Sequence, residues 1–120
     1  MATLFHDPRF EQGLVVFIDA RNDQHYLEGH IPGAYQLDHF YPERYLATVL
    51  PVCQTAEQIL VYCNGGACDD SLQTAIFLRD AGIPKERLFV YGGGMTEWMA
   101  KGLPVETGPR KSGNLVPVGK

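Results

Sequence analysis

Three short apolar runs recur along the chain, and they constrain its fold more than any other feature. They cover residues 14–18, 59–62 and 88–91, and a weaker run covers residues 35–37. Short runs that are apolar at every position and rich in β-branched residues are typical of strands buried on both faces. Such strands belong to parallel sheets, in which helices connect one strand to the next.

The segments between these runs have the character of helices. We predict helices over residues 23–28, 42–50, 71–81 and 95–101. The third is the best defined, because Asp69 and Asp70 suit the positive end of its dipole and Gly82 suits a left-handed turn after its last residue. Alternating strands and helices predict an α/β fold, with a mostly parallel sheet flanked by helices on both faces.

One cysteine follows a predicted strand directly, at the carboxyl end where parallel sheets bind ligands. The loop from Cys63 to Cys68 consists mostly of small residues and leads into the helix predicted from residue 71. Backbone N–H groups in such a loop, together with a helix dipole, stabilise a thiolate. The sequence therefore indicates that Cys63 is a nucleophile, and the alternative is a small buried cysteine without chemistry.

Length, charge and cysteine count exclude several classes of protein. The 120 residues suffice for one domain, and 14 acidic against 10 basic residues leave no basic surface for nucleic acid. No apolar run near the start is long enough to span a bilayer, and no signal peptide is visible. Three cysteines, an odd number, favour a reducing compartment. We therefore expect a cytoplasmic location, and the alternative is that this chain is a piece of a longer or membrane-bound protein.

Motifs on either side of the cysteine loop have a characteristic order and spacing. They are Asp-Ala-Arg at 19–21, Gly-His-Ile-Pro-Gly-Ala at 29–34, and Gly-Gly-Met-Thr-Glu-Trp at 93–98 with Gly-Leu-Pro-Val at 102–105. Together they resemble the rhodanese family over roughly residues 14 to 106. The resemblance implies a single rhodanese-like domain with a five-stranded parallel sheet between helices. It also implies that Cys63 accepts a sulfane sulfur as a persulfide and passes it to a nucleophile.

The cysteine loop departs from the family pattern in its charge. Rhodanese loops usually carry Arg or Lys to hold anionic thiosulfate, whereas no basic residue occurs here between Cys63 and Ser71. Asp69 and Asp70 add negative charge, which opposes both a dianionic substrate and a thiolate. We therefore expect weak activity with thiosulfate. Phosphatase relatives of the fold are excluded, because their loop needs a terminal arginine to hold phosphate.

The complete predicted site has a catalytic part, a loop and a supporting part. We expect catalytic roles for Cys63 and Cys68, a substrate-binding loop of Asn64, Gly65, Gly66, Ala67, Asp69 and Asp70, and structural support from Asp19, Arg21 and His30. The alternatives are substrate contact for Asp19 and Arg21, a general-base role for His30, and simple loop filling for Cys68. The domain is expected over residues 1–108, with residues 109–120 as a C-terminal tail or linker.

Expected partners and functions follow from this site. A small sulfur-containing substrate or a thiol acceptor, including a protein thiol, fits the cysteine loop, whereas nucleic acid and membrane insertion are not expected. No cofactor is expected, and no metal, because His6, His25 and His39 lack partners at ligand spacing. Three functions remain open: a sulfurtransferase or sulfur carrier, a thiol-disulfide redox or sensory module of Cys63 and Cys68, and a non-catalytic interaction domain.

Overall fold

The computed structural model describes residues 13–38, 40–65, 69–110, 112 and 114–116. Its centre is a four-stranded parallel sheet in the order β2-β1-β3-β4. The strands are β1 (Val15–Asp19), β2 (Tyr35–Gln36), β3 (Gln58–Tyr62) and β4 (Leu88–Tyr91). The apolar runs thus form adjacent strands, and the predicted α/β fold is confirmed.

Helices occupy the segments between and after these strands. They are α1 (Asp23–Glu28), α2 (Leu46–Thr55), α3 (Asp70–Asp80) and α4 (Gly94–Ala100), with short 3-10 helices at Pro42–Arg44 and Lys85–Arg87. Within the described residues, none of these helices has the length and hydrophobicity that a membrane span requires.

Two further short strands form a separate antiparallel ribbon. They are β5 (Val105–Glu106) and β6 (Leu115–Val116), and an isolated bridge joins His30 to Glu106. In the described part of the chain, the parallel sheet therefore has four strands, and the remaining pairing is outside it. Because β6 lies within residues 109–120, part of the predicted tail pairs with the domain, and a linker role for that segment stays a prediction.

The sheet has a hydrophobic core on each face, because successive side chains of a strand point to opposite sides. On one face, Val16 and Ile18 of β1 join a buried cluster with residues of α2 and α3. On the other, Val15 and Phe17 join a cluster that contains Trp98 of α4. This two-sided burial explains why the strands are apolar at consecutive positions.

Two helices differ from the sequence prediction. The segment predicted as one helix over residues 42–50 is a 3-10 helix followed by α2, which continues through Pro51 to Thr55. A proline inside a helix deprives the carbonyl four residues earlier of its partner, and here that residue is Ala47, which is exposed to water. In α3, Leu72 is 50% exposed, although its aliphatic side chain is of the kind that predicts a buried position. The buried face instead carries Ser71, Thr74, Ala75 and Leu78.

Candidate functional site

Cys63 follows β3 at the carboxyl edge of the sheet and is only 2% exposed. Its carbonyl oxygen accepts a hydrogen bond from the backbone N–H of Met95 at 2.9 Å. The carbonyl of Asn64 likewise accepts from the N–H of Thr96 at 2.9 Å. The first N–H groups of a helix have no partner within it, so the cysteine loop satisfies those of α4. These bonds fix the backbone of Cys63 against α4.

Glycines allow the cysteine loop and the start of α4 to approach each other this closely. Gly94 has a φ of +57°, and a Cβ there would lie 2.4 Å from the carbonyl oxygen of Cys63. Gly65 has a φ of +112°, and a Cβ there would lie 2.2 Å from the carbonyl oxygen of Gly93. Both positions therefore exclude a side chain on grounds of space and backbone conformation.

We expect Gly94→Ala to lower the free energy of unfolding by about 1–3 kcal/mol, because the new Cβ must displace the backbone beside Cys63. Gly92→Ala is the matched control, since a Cβ at Gly92 would meet no atom within 4 Å. Its effect should stay within about 0.5 kcal/mol. Urea denaturation of both variants measures the difference, and equal losses would contradict the close packing of the two loops.

A buried ion pair stands beside the cysteine loop. The Nε and Nη2 atoms of Arg21 donate to both carboxylate oxygens of Asp19 at 2.6–3.2 Å, and the Tyr62 hydroxyl donates to Asp19 Oδ2 at 2.9 Å. Burial by itself lowers the pKa of Arg21, but the hydrogen bond and charge of Asp19 outweigh it and leave that pKa raised. The buried guanidinium therefore has its compensating charge inside the protein.

Arg21 also connects three segments around the site. Its Nη1 donates to Asn64 Oδ1 at 3.3 Å, and its Nη2 donates to the carbonyl of Gly29 at 2.5 Å. A basic side chain thus reaches the cysteine loop, but it comes from the segment after β1 and is paired with Asp19. The structure therefore places Asp19, Arg21 and Asn64 in one connected network.

A pocket of about 170 Å³, here called the site pocket, opens beside this network. Its lining consists of Ala20, Arg21, Asn22, His25, Asp38, Phe40, Asn64 and Asp70. This lining contains two carboxylates, those of Asp38 and Asp70, and one permanent cation, Arg21. Arg21 is already paired with Asp19. Within the described lining, carboxylates therefore outnumber permanent cations.

The structure describes some, but not all, of the remaining residues predicted for the substrate-binding loop. Asp70 begins α3 and lines the site pocket, whereas Asp69 immediately precedes the helix with an exposed side chain. Gly66, Ala67 and Cys68 lie outside the described residues, as do His6 and His39.

The cysteines within the described part of the chain differ in state. Cys63 is disulfide-bonded, whereas Cys53 is a free, buried thiol in α2. Burial raises the pKa of the Cys53 thiol to about 12. Cys53 is therefore protonated near neutral pH and has no character of a nucleophile.

His30 is fully buried and does not line the site pocket. Its Nδ1 is 2.8 Å from the carbonyl oxygen of Tyr26, and its Nε2 is 2.8 Å from Glu106 Oε1. Its ring also stacks on that of Tyr26, with 3.9 Å between ring centroids. Both ring nitrogens are occupied by contacts that join α1 to β5, which leaves neither for a substrate.

Sequence reasoning missed His25, Asp38 and Phe40 as pocket residues. Asp38 comes two residues after β2, so the general position of ligand sites beyond strand ends would have indicated it. His25 lies in α1, whose start is set by the Asn22 side chain accepting the His25 backbone N–H at 2.9 Å. In the described ranges, no group of three His, Cys, Asp or Glu side chains is placed to hold a metal ion.

Comparisons with known proteins agree with this fold. The model of the rhodanese-like domain family matches residues 2–101. An HTH-type transcriptional regulator of Mycobacterium tuberculosis is 37% identical over 100 residues, which are 83% of this chain and 41% of the regulator. The chain thus spans less than half the length of that relative.

Solved structures show the same architecture. The BH2092 protein of Bacillus halodurans superposes with a TM-score of 0.69 and 25% identity, covering 88% of this chain and 73% of that protein. A thiosulfate sulfurtransferase of Pseudomonas aeruginosa superposes with a TM-score of 0.65 over 87% of this chain and 19% of its own. At 23% identity, that second likeness concerns the fold alone.

Proposed function

Because this chain belongs to the rhodanese-like domain family, we propose that it is a sulfurtransferase or sulfur carrier that holds a sulfane sulfur on Cys63. The position of Cys63 carries this proposal. It is a cysteine at the carboxyl end of β3, with its backbone fixed by α4 and with Asn64, its neighbour, lining the site pocket. Rigid placement beside a pocket is what a nucleophile requires.

The proposed reaction consists of two thiol exchanges without net oxidation. The reduced Cys63 thiolate attacks the outer sulfur of a persulfide donor, R–S–SH. A new S–S bond forms on Cys63 while the donor S–S bond breaks, and the donor leaves as its thiol. An acceptor thiolate then attacks the outer sulfur of the Cys63 persulfide and restores the thiolate. Backbone N–H groups of the loop after Cys63 are proposed to stabilise the anionic sulfur.

The charge of the site pocket favours a donor other than thiosulfate. Asp38 and Asp70 both line it, and its guanidinium is paired with Asp19. Thiosulfate carries two negative charges on a five-atom ion. A low-molecular-weight persulfide places at most one negative charge on its S–S group. We therefore propose that a persulfide loads Cys63 faster than thiosulfate does.

We expect Asp70→Asn to increase the rate of sulfur transfer from thiosulfate by about fivefold, or roughly 1 kcal/mol for one charge removed near the site. Asp69→Asn should have a smaller effect, since that side chain is exposed and outside the lining of the site pocket. Asp80→Asn, at the other end of α3, is the control. Thiocyanate formation from cyanide measures the rate. An unchanged rate in Asp70→Asn would show that the charge of Asp70 does not oppose the reaction with thiosulfate.

A thiol-disulfide module is a second candidate, supported by the disulfide state of Cys63. The regulator that resembles this chain is a transcriptional regulator by name, and a sensory role would suit such a protein. In this candidate, Cys63 and Cys68 cycle between a dithiol and a disulfide, and no sulfane sulfur is loaded. A low-molecular-weight disulfide, R–S–S–R, is the oxidant: one cysteine thiolate displaces R–S⁻, the other attacks the mixed disulfide, and a second R–S⁻ leaves.

Loading of sulfur on Cys63 favours the first candidate, and a reversible disulfide without loading favours the second. Within the first candidate, Cys68→Ser tests whether Cys68 resolves the persulfide by attacking its inner sulfur, which releases sulfide and leaves a bond between Cys63 and Cys68. If Cys68 resolves the persulfide, the variant should accumulate more Cys63 persulfide and release less sulfide than the native chain. Only the native chain should then need an added reductant before each new cycle. Equal persulfide lifetimes in the two proteins, with no internal disulfide recovered by peptide mapping, would assign Cys68 to the loop and the acceptor to another molecule.

A further inference from the structure

A second and larger cavity, of about 340 Å³, lies between α1, β2 and α2. Among the described residues, it shares no lining side chain with the site pocket. Asn22 and His25 at the start of α1 line the site pocket, whereas Asp23, Tyr26 and Leu27 line the larger cavity. The two cavities are therefore separate sites on either side of one short helix.

The walls of this cavity are mainly aromatic and aliphatic. Three tyrosines line it, and we call it the tyrosine groove after Tyr26, Tyr35 and Tyr45. Leu27 and Val49 add aliphatic surface. Walls of this kind suit the flat or branched apolar body of a small molecule, whose burial would supply most of the binding free energy.

Two arginines border the tyrosine groove. The guanidinium of Arg110 lies 3.8 Å from the centroid of the Tyr35 ring, and its Nε donates to the carbonyl of Gly33 at 2.9 Å. These contacts hold the cation in place, while its two Nη atoms make no hydrogen bond within the described part of the chain. Arg44 is exposed, its guanidinium lies 4.5 Å from the centroid of the Tyr41 ring, and its Nη1 pairs with Asp23 Oδ2 at 4.0 Å. Both guanidinium groups thus have donors available to a ligand.

The lining of the tyrosine groove also contains one acidic residue, Asp23, whose carboxylate already accepts hydrogen bonds. Asp23 Oδ1 accepts from the Tyr45 hydroxyl and from Gln36 Nε2, both at 2.8 Å. These hydrogen bonds lower the pKa of Asp23, so it remains a carboxylate at neutral pH. Two guanidinium groups against one carboxylate give the tyrosine groove a net positive charge, on a chain whose net charge is −4. This local excess favours an anionic group.

We propose that the tyrosine groove binds a small organic anion, consisting of an aromatic or branched aliphatic body with one carboxylate or sulfonate group. The body packs against the tyrosine rings, and the anionic group accepts hydrogen bonds from Arg110 and Arg44. This site is independent of the sulfur chemistry proposed for Cys63, since neither cavity needs the other to bind its ligand.

Naphthoate and naphthamide form a matched pair of probes, because they share one shape and differ in charge. In an NMR titration of the full chain, we expect naphthoate to bind saturably, with shifts concentrated in α1, β2, α2 and Arg110. Naphthamide should bind at least fivefold more weakly. Arg44→Gln and Arg110→Gln should each weaken naphthoate binding by about fivefold. Arg79→Gln, an exposed arginine on α3, is the control and should change nothing.

Four results would overturn the proposal. The first is the absence of saturable naphthoate binding, and the second is equal affinity for the acid and the amide, which would indicate apolar contact alone. The third is unchanged affinity in both arginine variants, and the fourth is a set of shifts centred on the site pocket. Arg44 is exposed, so its replacement leaves the fold intact and the test remains decisive if Arg110→Gln loosens its own segment.

Discussion

Replacement of Cys63 by serine is expected to abolish persulfide formation on this chain. Cys63 is the described cysteine at a strand end beside the site pocket, whereas Cys53 is buried in the core against the sheet. With its pKa raised to about 12 by burial, Cys53 has a thiolate fraction of only about 1 in 10⁵ at pH 7. The thiolate needed to attack a donor sulfur is therefore absent at Cys53.

Cys53→Ala is the matched control and should load sulfur as the native chain does. Peptide mapping under non-reducing conditions locates the added sulfur in each protein after donor treatment. Sulfur still bound to the Cys63→Ser chain would show that the nucleophile has been assigned to the wrong residue.

Replacement of Asp19 by asparagine is expected to lower the free energy of unfolding by about 3–5 kcal/mol. The carboxylate compensates the buried guanidinium of Arg21 and accepts the Tyr62 hydroxyl. An amide at this position leaves the Arg21 charge uncompensated and places an NH₂ group where an acceptor is needed. A domain of this kind is stable by only about 5–15 kcal/mol, so the loss is a large fraction of its stability.

Two further variants separate the charge effect from a general effect of mutation. Asp80→Asn removes an exposed acid of α3 and should change stability by less than about 0.5 kcal/mol. The double variant Asp19→Asn with Arg21→Met removes both charges of the pair. Its loss in free energy of unfolding should therefore be smaller than the sum of the losses in the two single variants. A loss below about 1 kcal/mol in Asp19→Asn would contradict a supporting role for this network.

The strands and the position of Cys63 were predictable because their signals are local. Runs that are apolar at every position mark strands buried on both faces, and β4 begins and ends at the predicted residues. The exposure of Leu72 was not predictable, because composition alone does not say which side of α3 faces the sheet. That face is set by packing against β3 and β4.

The lining of both cavities depends on contacts between distant parts of the chain. Asp38 and Asn64 meet in the site pocket only because β2 and β3 flank β1 in the sheet. Arg110 reaches the ring of Tyr35 from a segment predicted as tail or linker. A single sequence records neither the strand order nor the return of that segment, so these residues became visible only in the folded chain.

Intact-mass measurement of the reduced chain after exposure to a sulfur donor shows whether Cys63 carries a sulfane sulfur. Thiosulfate, a polysulfide and glutathione persulfide are compared in parallel. We expect a gain of one sulfur atom that maps to Cys63, is removed by an added thiol, and forms faster from glutathione persulfide than from thiosulfate. A folded, fully reduced chain that gains no sulfur from any of the three donors would contradict a role of Cys63 as a sulfur carrier.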